Sequence, residues 1–233
     1  MNLSDLIAPT TTDLRTTVVM DYQNIHLTGH GLFPCCRYRP LHECLIDPLL
    51  FAAQLLRTRN QAQRPGMPHA SLSRVLVYRG QPSAEFDPKS YARSQAQKSH
   101  WERDPRVRVT LRPLKYDVDR DATGKPVLGP GGRATITGKR EKGVDVLCAM
   151  AVVRETRRVD TDLVILASDD SDLEPALDEA LELKTAKIET FSWFDSTQPW
   201  RRHQLRPAEG RRLWHTRLGE PEFLASRDGT DYQ

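Results

Sequence analysis

The chain has 233 residues, 34 of them Lys or Arg and 31 Asp or Glu, for a net charge of +3. At roughly 150 residues per domain this allows one large domain or two small ones, and such a chain can bury a sizeable core without cross-links. So small a net charge excludes a global field that would announce a polyanionic partner, so local clusters must be read instead.

No apolar run approaches the ~20 residues of a membrane span. The start, MNLSDLIAPTTTDL, lacks the basic and apolar regions of a secretory signal. The four cysteines, Cys35, Cys36, Cys44 and Cys148, contain no C-x-x-C pair, so neither a zinc site nor a redox motif is expected. A disulfide framework is not expected in a chain of this size, and a reducing, cytoplasmic compartment fits.

Residues 1–15 read as a loose polar tail. TTVVM (16–20) is a β-branched run and reads as a strand, and DYQNIHLTGHGLF, with Gly29 and Gly31, as a loop after it. From Cys44 to Asn60, Leu45, Leu49, Ala52, Ala53 and Leu56 recur at helical spacing. SRVLVYRG (73–80) is a second strand, 87–103 a polar helix, and VRVTLRPL (107–114) a third strand. A turn-rich stretch, from about 117 to 143, reads as a hairpin or loop that could cover a cleft. Gly143–Arg158 is a helix with Val144, Leu147, Cys148, Ala151 and Val152 on one face. TDLVILAS is the fourth strand, Leu173–Leu181 a further helix, and AKIETFSWF (186–194) the fifth strand. Residues 196–233 form an Arg-rich extension packed on the domain.

Strands thus alternate with helices five times, the order of an α/β fold with a mainly parallel sheet of about five strands between helical layers. In such sheets the functional crevice lies outside the carboxyl ends of the strands. Asp21 directly follows the first strand, and Asp169, Asp170 and Asp172 follow the fourth. Asp145 lies in the first turn of the helix leading into the fourth strand, at that same edge. Asp21, Asp145, Asp170 and Asp172 are expected to converge there. Carboxylates that converge must take up protons or bind a cation, and hard divalent metals take oxygen ligands. Mg²⁺ or Mn²⁺ is the expected cofactor. Each residue also has a plainer reading: Asp21 as a strand-end turn, Asp145 as a helix-dipole partner, Asp172 or Ser171 as a cap, with Ser171 and Glu174 as a capping box. Asp169 is expected to face solvent or a backbone amide.

D-Y-Q-N after the first strand, K-G-V-D opening a helix, and S-D-D-S-D-L after the fourth strand resemble the three signatures of NYN domains. The resemblance covers residues 16–195. It implies a PIN-like fold and a metal-dependent endoribonuclease that cleaves RNA with metal-activated water. By position it assigns Asp21, Asp145, Asp170 and Asp172 as catalytic metal ligands, with Asn24 and Ser168 in support. Asp169 stands where the family has Gly, and Leu173 where it has Phe.

Lys139 and Lys142, just before Asp145, and Arg79, at the end of the second strand, are the candidate substrate-binding residues. Seven Lys or Arg lie between Arg93 and Lys115, with Tyr91, His100 and Trp101 among them. Arg201, Arg202, Arg206, Arg211 and Arg212 lie near Trp200 and Trp214. Basic residues interleaved with aromatics suit single-stranded RNA, and a homodimer is compatible with the chain. The same residues would also suit a catalytically inactive nucleic-acid-binding or scaffold module of this fold. A phosphatase with Asp21 as nucleophile is disfavoured, because Gln23 stands where its second acid belongs.

Overall fold

The computed structural model describes residues 13–129, 132–200 and 204–232. In chain order, β1 (Leu14–Asp21) is followed by α1 (Tyr22–Leu32), the short α2 (Pro34–Arg37) and α3 (Pro48–Gln61). Next come β2 (Ala70–Gln81), α4 (Pro88–Trp101) and β3 (Val107–Pro113). A hairpin of β4 (Lys115–Val118) and β5 (Ile136–Arg140) leads to α5 (Val144–Thr156) and β6 (Leu163–Ala167). The chain ends with α6 (Glu174–Leu183), β7 (Lys187–Trp193), β8 (Trp214–Leu218) and α7 (Glu220–Ala225). Six strands form one sheet in the order β3-β2-β1-β6-β7-β8, and every pairing in it is parallel.

The strands are apolar on both faces because both faces are covered. On one face Val18, Met20, Ile165 and Ala167 pack against Ile25 of α1, Phe51 and Leu55 of α3, and Phe223 of α7. On the other, Val19, Val164 and Leu166 pack against Cys148 and Val152 of α5 and Leu177 and Ala180 of α6. The result is the expected three-layer α/β sandwich, with six strands in place of about five. The additional strand, β8, lies in the stretch expected to be an extension, so the sheet continues past residue 195. The Arg59 guanidinium joins the two carboxylate oxygens of Glu189 at 3.2 and 2.9 Å, tying α3 to β7 in the interior. Removing one partner of such a pair would leave a buried charge uncompensated, at about 3–5 kcal/mol.

Three local expectations are corrected. DYQNIHLTGHGL is a helix, not a loop. The Asp21 carboxylate caps it, and Gly29 is needed where the helix meets its neighbours: a Cβ there would lie 2.6 Å from the Phe223 ring. The helix expected from Cys44 begins at Pro48, because Asp47 accepts from the amides of Leu49 and Leu50 at 2.8 and 2.9 Å and proline favours the first helical position. Cys36 and Cys44, both fully buried, form a disulfide across a Cα separation of 6.2 Å, where none was expected. Among the described residues, no helix is long and apolar enough to cross a membrane.

Candidate metal centre

The chain runs outward from β1 through β2 to β3, then returns to place β6 on the other side of β1. The gap between the carboxyl ends of β1 and β6 is therefore the topological switch point, where ligands bind in open α/β sheets. The register sets Met20 opposite Ala167, so the next residues, Asp21 and Ser168, leave the sheet together. Ser168 Oγ donates to Asp21 Oδ2 at 3.2 Å and accepts from the Asp170 amide at 3.1 Å. The Asn24 amide donates to Asp21 Oδ1 at 3.3 Å, and Asn24 Oδ1 accepts from the Asp169 amide at 2.8 Å. Asn24 and Ser168 thus tie the two strand ends together.

The third contribution comes from the head of α5. Gly143, with φ of 78°, turns the chain into the helix in a left-handed conformation that suits glycine. Asp145 lies in the first turn. Two residues before Gly143, Glu141 accepts a hydrogen bond from the Gly80 amide at the end of β2. Gly80 permits this approach, since a Cβ there would fall 2.6 Å from Glu141 Oε1. The buried Cys148 thiol records the convergence: burial pushes its pKa up, and the charges of Asp21, Glu141, Asp145 and Asp170 push it further. Glu141 is a residue that sequence reasoning missed. Its only signal was its place four residues before Asp145.

Asp172 does not join them. The turn Ser171–Leu173 is a 3₁₀ helix capped by the Asp170 side chain, which accepts from the Asp172 amide at 3.0 Å. Neighbouring side chains in that geometry lie about 120° apart, and Leu173 takes the inward direction. Asp172 is turned out to an exposed position beside Met150 and Val153 of α5. The expected Ser171–Glu174 box is absent, and Glu174 Oε1 instead accepts from the Arg206 amide at 2.7 Å.

Asp169 is half-buried: its Oδ1 is buried without a partner, and burial pushes the carboxyl up to about 7. It lines a cavity of about 400 Å³ with Leu27, Thr28, Trp193 and the largely exposed Trp200.

Asp21 is 5% exposed, and its desolvation raises the carboxyl to about 6. The Asn24 amide and Ser168 hydroxyl oppose this, while the charges of Glu141 and Asp170 add to it. Burial likewise raises Glu141, against the Gly80 amide and Arg79. Among the described residues, no three His, Cys, Asp or Glu side chains stand as a ready-made ligand set. Mg²⁺, however, typically uses one or two carboxylates and completes its shell with water and substrate phosphates. A group of hard oxygen donors, one of them ionised only against its burial, has the chemistry that such a cation reverses.

The candidate substrate residues divide. Arg79 and Lys139 line a cavity of about 200 Å³ whose wall includes Glu141, and Lys139 pairs with Asp87 at 3.1 Å. Lys142 is exposed, and its carbonyl accepts from Arg112 Nε at 3.1 Å. Trp101 is not a stacking platform: it is 3% exposed and donates to Asp228 Oδ2 at 2.7 Å. Arg201 and Arg202 lie outside the described residues.

No known protein family matches the sequence, and no curated protein does. Among solved structures, a protein of unknown function from Vibrio parahaemolyticus superposes with a TM-score of 0.41 at 17% identity. The match covers 79% of this chain and 84% of that one. So loose a likeness carries no argument about what this chain does.

Proposed function

We propose that the protein is a Mg²⁺- or Mn²⁺-dependent endoribonuclease acting on single-stranded RNA. One observation carries this reading: at the switch point of the sheet Ser168 ties Asp21 of β1 to the Asp170 segment after β6, and Glu141, beside the head of α5 that bears Asp145, is bound to the end of β2 through the Gly80 amide. Like charges brought together take up protons or bind a cation. When bound, a divalent cation supplies the polarisation of water and phosphate oxygen that phosphodiester hydrolysis needs. The chain's own residues do the rest. Asp21, Asp145 and Asp170, with Glu141, would hold the cation. Ser168 and Asn24 fix the rotamer of Asp21, and the Gly80 amide fixes Glu141. Arg79 and Lys139 meet the phosphates, and the exposed Trp200 offers a face for a base.

Cytoplasmic localisation belongs to this reading through its composition and its RNA substrate. The Cys36–Cys44 bond is the feature that favours an oxidising setting instead. The competing reading is an RNA-binding module of the same fold without activity, which would use the basic residues around the Arg79 cavity and need no cation. Labelled single-stranded RNA incubated with the protein in Mn²⁺ or in chelator separates the two. Cleavage in Mn²⁺ that chelator and Asp170→Asn both abolish is the expected result. Binding without cleavage at any metal concentration would leave the module.

A further inference from the structure

We propose that the cavity around Arg79 is a subsite for a phosphate monoester, the terminal phosphate of an RNA. The identity of that ligand rests on the nuclease reading; the phosphate chemistry does not. The cavity, about 200 Å³, is lined by Gln23, His26, Arg79, Arg93, Gln97 and Lys139, with Glu141 in the wall toward the carboxylates.

Arg79 gives it its character. The guanidinium lies over the rings of Tyr22 and Trp101, with its central carbon 4.6 and 5.6 Å from their centroids. Nη1 donates to Gln97 Oε1 at 2.7 Å, and Nε is buried with no partner. Among the described residues no carboxylate forms an ion pair with it; Glu141 acts on it from farther away. Arg79 is half-buried as a residue, but a desolvated guanidinium nitrogen is ordinarily paired, and this Nε lacks an acceptor. Nearby, the 5% exposed His26 has Nε2 buried without a hydrogen bond, although the Leu41 and Cys44 carbonyls lie against the ring.

Size and shape select the ligand. Pockets that enclose a whole drug-sized molecule span roughly 300–1,000 Å³, so this one takes a phosphate and the edge of its ribose, not a base. A monoester presents three free oxygens and up to two charges to a guanidinium fork and an ammonium, one charge more than an internal phosphodiester carries. Glu141 belongs both to this cavity and to the carboxylate group. An RNA end held here therefore brings the neighbouring phosphodiester bonds over the acidic cluster.

The test has two arms, both on the full chain. In chelator, calorimetry compares a nucleoside 5′-monophosphate, the 3′-monophosphate and the parent nucleoside. In Mn²⁺, cleavage is timed on the same RNA oligomer with a 5′-phosphate, a 3′-phosphate or hydroxyls at both ends. We expect one monophosphate to bind where the nucleoside does not, with about tenfold or greater loss in Arg93→Ala and Lys139→Ala, the worth of one charge-assisted hydrogen bond. These variants are used because Arg79→Gln disturbs a stacked, buried group. The oligomer carrying the matching end should be cut faster, and which end it is identifies the source of the phosphate. Monophosphate binding with no cleavage of any RNA would keep the subsite and overturn the nuclease reading. Cleavage indifferent to the end, with no monophosphate binding, would overturn the subsite and keep the nuclease. Binding unchanged in both variants would also overturn it.

Discussion

Asp21 ends β1 with its carboxyl almost wholly buried and both oxygens hydrogen-bonded. Burial still raises it from 3.8 to about 6. The folded state therefore holds the proton more tightly than the unfolded chain. The stability contributed by protonated Asp21 is complete below pH 3.8 and is lost as the pH rises through 6. At 1.36 kcal/mol per unit, ionised Asp21 costs the metal-free fold at most about 3 kcal/mol at pH 7.5. Asn at this position keeps an oxygen for the Asn24 amide and offers an N–H to Ser168. Asp21→Asn should therefore melt higher than the wild type in chelator at pH 7.5, and the two should converge near pH 4. Thermal melts across that range check it. The comparison with the variant is essential, because His26 and His215, both lowered to about 4, act in the opposite direction: their contribution is present above 6.5 and lost as the pH falls through 4. A variant that melts lower at pH 7.5 would make Asp21 an ordinary cap, whose loss typically costs 0.5–2 kcal/mol.

The end of β2 and the head of α5 meet at Gly80 and Glu141. A methyl group on Gly80 would also fall 2.3 Å from Leu114 Cδ2. Gly80→Ala should thus displace Glu141 and cost about 1–3 kcal/mol by overpacking. It should weaken Mn²⁺ affinity about 10–100-fold, as loss of a supporting partner does; melts and a metal titration on the one variant give both numbers. Elements with strong apolar patterns were legible in the sequence: β1, β2 and β6 carry continuous apolar runs buried on both faces, and β3, at an edge, shows the alternation of Val107, Val109 and Leu111. β8 was not, because WHTRL buries only Thr216 and Leu218 at an edge of the sheet. Nor was α1, whose glycines suggest a loop until Phe223 and Trp193, both far away in the chain, are seen packed on Gly29. Asp172 was misplaced for a related reason. The D-D-S-D-L spacing does not reveal whether the chain leaves the strand in an α or a 3₁₀ turn, and that turn decides which aspartate faces inward.

Over the whole molecule, the basic residues that matter form a trough. Arg39, His42, Arg93 and Arg227 line a cavity of about 400 Å³ together with the acidic Glu43, Asp228 and Asp231, and it shares Arg93, Gln97, His42 and Leu45 with the Arg79 cavity. RNA binding should accordingly weaken with salt, with a log–log slope of about −0.7 for each phosphate neutralised. A filter-binding series from dilute to physiological salt measures it, and a flat response would exclude a phosphate-tracking surface. That the first and fourth predicted strands would be neighbours could be expected only from α/β topology, and the trough could not be foreseen at all, since its residues come from four distant stretches of chain. The claim beneath all of this is that the carboxylates at the switch point hold a divalent cation. Paramagnetic resonance of free Mn²⁺, titrated with the protein at pH 7.5, tests it with no substrate involved. The account predicts saturable loss of the free-ion signal, sharply weakened in Asp21→Asn and Asp145→Asn and unchanged in Asp172→Asn. A wild type that leaves millimolar Mn²⁺ free, or binding that Asp172→Asn alone removes, would contradict it.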